Sequence, residues 1–262
     1  MTLKTWDAYA LRYATVQRRS GENFIGQDAH EQATHMDYYV WFLKCDGETI
    51  LVDTGFSAQA AQQRHRTFLR CPIESLQAAG IALEDIRETV ITHAPYDHAG
   101  NTRRLKGSRF HLQEREMAYA TGKDMRHASC SHAYDAADVC DLVHANFEGR
   151  VDFHDGAYEL RSGITVHWVG GHTRGLQIVR VHTQRGWIVL ASDAAHYLAN
   201  LRRRAPFPIV VEVAEMLRGY DLIESLADSP DHVVAGHDPL TMQLYAPAGP
   251  EALDIVSLTA PR

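Results

Sequence analysis

The densest chemistry in the chain lies in VITHAPYDHAGN (90–101), where His93, Asp97 and His98 fall within six positions, directly after an apolar β-branched run. Imidazole and carboxylate without thiolate suit zinc, manganese or iron in an open catalytic site better than in a closed structural one. Three further stretches share the habit of an apolar strand followed at once by metal-binding side chains: VGGHTRG (169–175), VLASDAAH (189–196) and VVAGHDP (233–239). Taken alone, each histidine is better explained as a satisfied turn residue. Four such strand ends in one chain argue for a shared site, because loops on a rigid scaffold are where chemistry is mounted. Pro95 interrupts the pattern. The spacing leads one to expect another histidine there, and proline has no side-chain lone pair and no backbone N–H.

Strands and helices must hold these loops. MDYYVWFLKCDGETILVDTGF (36–56) reads as two strands joined at Asp46-Gly47, a strong hairpin turn signal. Ser57 to about Leu69 reads as a polar amphipathic helix, and PIESLQAAG as a second short helix with Pro72 near its start and Gly80 as its stop. RETVIT (87–92) and SRFHLQ (108–113) read as strands, and Glu114 to Phe147 as mainly helical with an irregular His-rich piece. RVDFH, AYEL, ITVHWV, LQIVRVHT and GWIVLAS follow as strands, then a helix over 210–229 and a last strand, HVVAG (232–236), that ends in His237. Two groups of strands, each followed by helices, predict an α/β fold: two packed sheets with helices outside, a four-layer αβ/βα sandwich forming one domain over 1–262.

Composition narrows the partners. The chain is 45% hydrophobic and 23% charged with net charge −7, so nucleic acid is not an expected partner. LRRRAP (201–206) is too short to argue otherwise and reads as a solvated surface turn. No apolar run reaches the ~18 residues needed to span a bilayer, and the N-terminal residues lack the pattern of a signal peptide. A cytoplasmic protein without membrane contact is expected, with a homodimer as the common default. Cys45, Cys71, Cys130 and Cys140 form no CxxC pair and read as free buried thiols.

In their order, the H-x-x-x-D-H core, GGHTRG, the SDA after a strand and the late GHDP resemble the metallo-β-lactamase fold hydrolases. The resemblance begins at ILVDTGF and extends over most of the chain. TILVDTGF, LASDAAHYLAN and GHDPL look most like the N-acyl homoserine lactonase branch, whose activity is quorum quenching. The resemblance implies one or two zinc ions per chain, with manganese or iron(II) as alternatives, about 3.5 Å apart where both are present. Carried over by position, His93, His172 and a histidine at 95 would hold the first, and Asp97, His98 and His237 the second, with Asp193 bridging. Asp53 falls where the family has a carboxylate that steadies the site, although a turn-forming role before Gly55 explains it about equally well. His196 stands where the better-known lactonases carry a tyrosine that touches the substrate carbonyl, so it would polarise that carbonyl or line the pocket.

Pro95 leaves the first position with His93, His172 and the shared Asp193, three ligands that with water still make a tetrahedral zinc site, at reduced affinity. The second position keeps four protein ligands and should fill first. A two-metal centre with a weak first site is the preferred expectation, then a mononuclear enzyme, then a first site rebuilt by His30 or His196. The implied reaction is lactone opening by water that the cation makes acidic. Asp97 would orient the nucleophile and pass a proton to the leaving alkoxide. Alternatives are a pyridoxolactone-like cyclic ester or amide, a thioesterase of the glyoxalase II kind, and a non-catalytic binding protein on a degenerate site. The aromatics of HMDYYVWF are expected to divide between sheet core and pocket wall. His111, His127, His132, His144, His154, His167, His182 and His232 receive no role.

Overall fold

Every residue from Met36 to Leu43 is buried, a pattern that only a strand covered on both faces satisfies. The computed structural model describes residues 3–26 and 32–262 and puts this run near the middle of a nine-stranded sheet. His30 lies outside the described residues.

The strands β1 (Asp7–Arg19), β2 (Ala33–Cys45), β3 (Glu48–Val52), β4 (Thr67–Phe68), β5 (Ile86–Val90), β6 (Arg109–Gln113) and β7 (Val151–His154) belong to the larger sheet. The smaller sheet follows with β8 (Tyr158–Arg161), β9 (Ile164–Trp168), β10 (Gln177–Thr183), β11 (Gly186–Leu190) and β12 (Val233–Val234). Finally β13 (Tyr245–Pro247) and β14 (Ile255–Pro261) return the chain to the first sheet. The orders are β13-β14-β1-β2-β3-β5-β6-β7, with β4 against β1, and β12-β11-β10-β9-β8. β3, β5, β6 and β7 run parallel, and β9, β11 and β12 share one direction. Loops at the carboxyl ends of such strands are where α/β sheets bind ligands.

Side-chain alternation sorts β2 into two cores. Tyr39, Trp41 and Leu43 meet Val166, Val181 and Leu190 of the smaller sheet, whereas Tyr38, Val40 and Phe42 face Ile73, Leu76 and Leu142 from helices outside the larger sheet. On the far side, the helix Val213–Leu226 buries Met216, Tyr220 and Ile223 against Ile178 and Val189. Three apolar layers between four layers of structure make the expected αβ/βα sandwich. The hairpin signal also holds: Asp46 and Gly47 take φ of 49° and 80° between β2 and β3, as a type I′ turn needs.

Several local expectations change. The helix expected from Ser57 to Leu69 ends early as Ala58–Gln63, because His65 takes a left-handed φ of 54° and Thr67 and Phe68 pair with Thr15 and Ala14. The helix expected over 210–229 starts only at Val213, since the backbone N–H groups of Val211 and Glu212 donate to the Gly171 carbonyl. LRRRAP is solvated at Arg202, Arg203 and Arg204 as expected, but its first residues close the helix Leu198–Arg203, where Leu201 is buried. The cysteines are unpaired but not buried, with Cys45, Cys71 and Cys130 half-buried and Cys140 exposed. The long β1 was not anticipated. Its alternation breaks where the register shifts between Arg12 and Ala14, and a bulge of this kind hides a strand from a two-residue pattern. No helix among the described residues is long and apolar enough to cross a membrane.

One helix carries a titration. Asp135 caps Ala136–Phe147 by accepting from the Ala137 N–H. Burial, reinforced by Asp135 and Asp141, pushes the Asp138 carboxyl from 3.8 up to about 7. A folded value above the unfolded one means stability that is fully present at low pH and lost as pH rises through about 7. Asp138→Asn should therefore match wild type near pH 4, gain with rising pH, and hold a lead of about 1 kcal/mol above neutrality. That figure is discounted for solvent screening and for the favourable helix N-terminus. Urea unfolding across this range checks it, and a lead independent of pH would refute it.

Candidate metal centre

The functional side chains follow strand ends: β3 leads to Asp53, β5 to His93, Asp97 and His98, β9 to His172, β11 to Asp193 and His196, and β12 to His237. Two non-glycine residues here take left-handed backbone, Asp53 at φ 61° and Ser192 at φ 44°. Such conformations persist only where the surroundings hold them. Thr92 supplies that hold. Its N–H donates to Asp53 Oδ1 and its hydroxyl to Oδ2, both at 2.7 Å, and the hydroxyl also lies 2.9 Å from Ser192 Oγ.

Asp193, buried with them, is the hub. Its Oδ2 faces Nε2 of His93 at 3.6 Å, of His172 at 3.4 Å and of His196 at 3.0 Å. Its Oδ1 faces Nε2 of His98 at 3.2 Å and of His237 at 3.0 Å. Asp97 Oδ2 joins the second group, 3.7 Å from His98 Nε2 and 3.9 Å from His237 Nε2. All six residues expected as ligands converge here, and so does His196. Pro95 precedes the short helix Tyr96–Ala99 and brings no donor atom.

The outer nitrogens reveal the tautomers. His172 Nδ1 lies 2.6 Å from the Ile209 carbonyl and His237 Nδ1 2.8 Å from the Asp37 carbonyl. A carbonyl only accepts, so both Nδ1 atoms carry hydrogen and a neutral ring turns a bare Nε2 inward. His98 Nδ1 donates to Asp53 Oδ2 at 2.7 Å, so Asp53 braces a candidate ligand as well as forming a turn. His93 Nδ1 is 3.1 Å from Thr92 Oγ1. Bare nitrogens aimed at carboxylate oxygens repel unless a proton or a cation lies between them. Nε2 of His93 and of His98 are also buried without a hydrogen-bond partner, an arrangement that costs free energy in an apoprotein. Three donor groups (His93, His98, Asp193; Asp97, His98, His237; His172, Asp193, His196) each gather ligand atoms within 4.8 Å of one another. The donor set therefore fits divalent metal.

Without a cation, electrostatics divides the two sets of imidazoles. Burial holds His93 well below the usual imidazole range and pushes His172 and His196 down to about 4, leaving lone pairs free at neutral pH. Burial would also lower His98 and His237, but the facing carboxylates outweigh it and raise both. For Asp193, burial alone would raise the carboxyl, and the surrounding imidazoles, His196 and His237 foremost, hold it well below the carboxylate range.

Some participants escaped the sequence reading. Glu116, 0% exposed, accepts from the Ala94 and Gly175 N–H groups at 3.0 Å, from Tyr134 OH at 2.8 Å and from Thr173 Oγ1 at 2.7 Å. It ties the loop bearing His93 to the loop bearing His172. Gly175 is required there, since a Cβ would lie 2.3 Å from the Glu116 nitrogen. No motif announces Glu116, whose spacing is that of any helical glutamate. Arg18, Arg64, Arg66 and His132 line a cavity of about 70 Å³ together with Tyr38, Asp97, Asp193 and His196. It adjoins a cleft of about 350 Å³ walled by Tyr119, Tyr134 and Val211, the two sharing Pro95, His132, Ala133, His172 and Ile209. Of the HMDYYVWF aromatics, Tyr38 reaches the pocket wall and Tyr39 and Trp41 are sheet core.

The family profile described as the metallo-beta-lactamase superfamily matches residues 34–237. An N-acyl homoserine lactonase of Bacillus thuringiensis is 23% identical over 188 residues, covering 66% of this chain and 70% of that protein. A protein of Mycobacterium tuberculosis described as a probable metallo-hydrolase is 24% identical over 221 residues, covering 77% and 71%. The fold is similar to that of an N-acyl homoserine lactone hydrolase solved with the product N-hexanoyl-L-homoserine at its catalytic metal centre. That match has TM-score 0.76 at 19% identity and covers 93% of this chain and 96% of the other.

Proposed function

The chain belongs to the metallo-β-lactamase superfamily and is a metal-dependent hydrolase, and on that footing we propose that it opens a lactone ring. In this reading Asp97, His98 and His237 hold one divalent cation, His93 and His172 hold a second, and Asp193 is shared. One observation carries the proposal: a buried carboxylate whose two oxygens each face a separate set of imidazole nitrogens, beside a cavity. Zinc suits the all-N/O donor set, with manganese or iron(II) as alternatives. The chemistry a divalent cation supplies in such a nest is Lewis acidity, which lowers the pKa of water to about 7 and polarises a carbonyl.

The chain's own residues do the rest. Asp97 borders the cavity with its side chain 12% exposed, so it can take a proton from the attacking water and return it to the ring oxygen as the ester C–O bond breaks. Water thus adds across that bond and a hydroxy acid leaves. The small cavity suits the ring, and the adjoining cleft with Ile209 and Val211 suits an acyl chain. N-acyl homoserine lactones have this shape, and the curated lactonase relative supports the choice. The unpaired thiols agree with a cytoplasmic setting.

A second reading has its own support. Arg18, Arg64 and Arg66 border the cavity, and among the described residues their side chains bond only to carbonyl, amide and hydroxyl oxygens. Guanidinium groups that hydrogen-bond to no carboxylate among the described residues, with Asp97 acting on Arg66 and Asp138 on Arg64 only at longer range, favour a cyclic ester or amide that bears an anionic group. Metal analysis and a lactone panel test both readings. We expect at least one equivalent of divalent metal per chain and ring opening of acyl homoserine lactones. Preference for carboxylate- or phosphate-bearing rings over neutral ones would favour the second substrate. A metal-free protein inert to the whole panel would overturn both.

A further inference from the structure

We propose that His196 supplies the third imidazole of the first metal position, in place of the donor that Pro95 lacks. The inference rests on the metal-centre reading above and assigns a ligand that reading leaves out. Three observations support it independently of any titration.

His196 Nε2 lies 3.0 Å from Asp193 Oδ2, closer than the 3.6 Å of His93 and the 3.4 Å of His172 to the same oxygen. Its ligand atom falls within 4.8 Å of those of His172 and Asp193, while Asp193 groups likewise with His93 and His98. The ring is aimed by packing: it stacks on Phe207 with centroids 3.8 Å apart and planes 3° from parallel, and its edge meets His172 at 5.2 Å.

An ordinary histidine–aspartate hydrogen bond is the plain alternative. It accounts for the 3.0 Å contact of His196, but not for the lone pair of His172 Nε2, which faces the same oxygen while its Nδ1 donates to the Ile209 carbonyl. One proton on His196 cannot satisfy the other two rings, whereas a cation among them would take one lone pair from each. The tautomer of His196 is set by what its Nε2 meets, because its Nδ1 is buried with no hydrogen-bond partner among the described residues. Both sides of Asp193 would then have a full protein shell: His93, His172 and His196 on one, and Asp97, His98 and His237 on the other. Pro95 is consistent with this, because its side chain and His196 border the same small cavity. A donor reaching in from β11 makes one from the 93–98 loop unnecessary.

The test reads metal. Zinc-loaded wild type should hold two equivalents, and X-ray absorption should count five imidazoles shared over two ions. His196→Ala should keep the second ion and bind the first at least roughly 10- to 100-fold more weakly in chelator competition. Pro95→His placed in the His196→Ala background should restore two equivalents, which also answers the objection that His196→Ala merely misfolds. Two tightly held ions in His196→Ala, or four imidazoles in wild type, would overturn the assignment and leave the hydrolase reading intact. Wild type that binds no metal would overturn both.

Discussion

Asp193→Asn is expected to strip both cations and lower kcat/KM by at least ~10³-fold, because loss of even an outer partner costs about 10 to 100-fold and this residue serves two positions. The substitution preserves shape and removes only charge and symmetry. Asparagine presents one acceptor oxygen and one N–H₂ group, so one of the two imidazole sets now meets donors where it needs an anion. In wild type those sets lie 3.0 to 3.6 Å from the carboxylate oxygens, too close to tolerate the change. Metal analysis, lactone hydrolysis and far-UV circular dichroism check it together. A folded variant that keeps two ions and activity within tenfold of wild type would refute the hub role.

Glu116→Ala should destabilise the fold by about 4 kcal/mol, since four buried donors lose their acceptor and each unmet group costs roughly 1 to 3 kcal/mol before relaxation. For a chain of this size that corresponds to a fall in Tm of roughly 10 °C. The donors come from the 94 loop, from Tyr134 and from the 173–175 loop, so the damage should reach the metal as well. His93 and His172 lose a common brace, and affinity at the first position should fall about 10-fold or more. Calorimetry and chelator competition measure the two effects. A variant with unchanged Tm would remove Glu116 from the account of how the loops are joined.

Much of this architecture was legible because apolar strands ending in chemical residues leave a linear trace. β2, β3 and β5 through β12 follow from short apolar or alternating stretches in the sequence, and the turn at Asp46-Gly47 from its dipeptide. What escaped had a non-local cause. β1 carries a bulge, β4 exists only because Thr67 and Phe68 find an edge at Ala14 and Thr15, and β14 gains its place by pairing with β1. The three arginines of LRRRAP are solvated as read, but they hide the helix end and the buried Leu201 beside them.

The site divides in the same way. Amino-acid order alone determined the donor types, their seats after strand ends and the gap at Pro95, since these depend on side-chain chemistry and short spacing. It left Asp53 open between turn and brace, and contact with His98 Nδ1 answered that. Only the tertiary structure decided that Glu116 joins two loops and that Asp193 offers one oxygen to His98 and His237 and the other to His93, His172 and His196. Which nitrogen meets which oxygen depends on how two sheets pack across a shared core, and spacing along one chain carries no record of that distance.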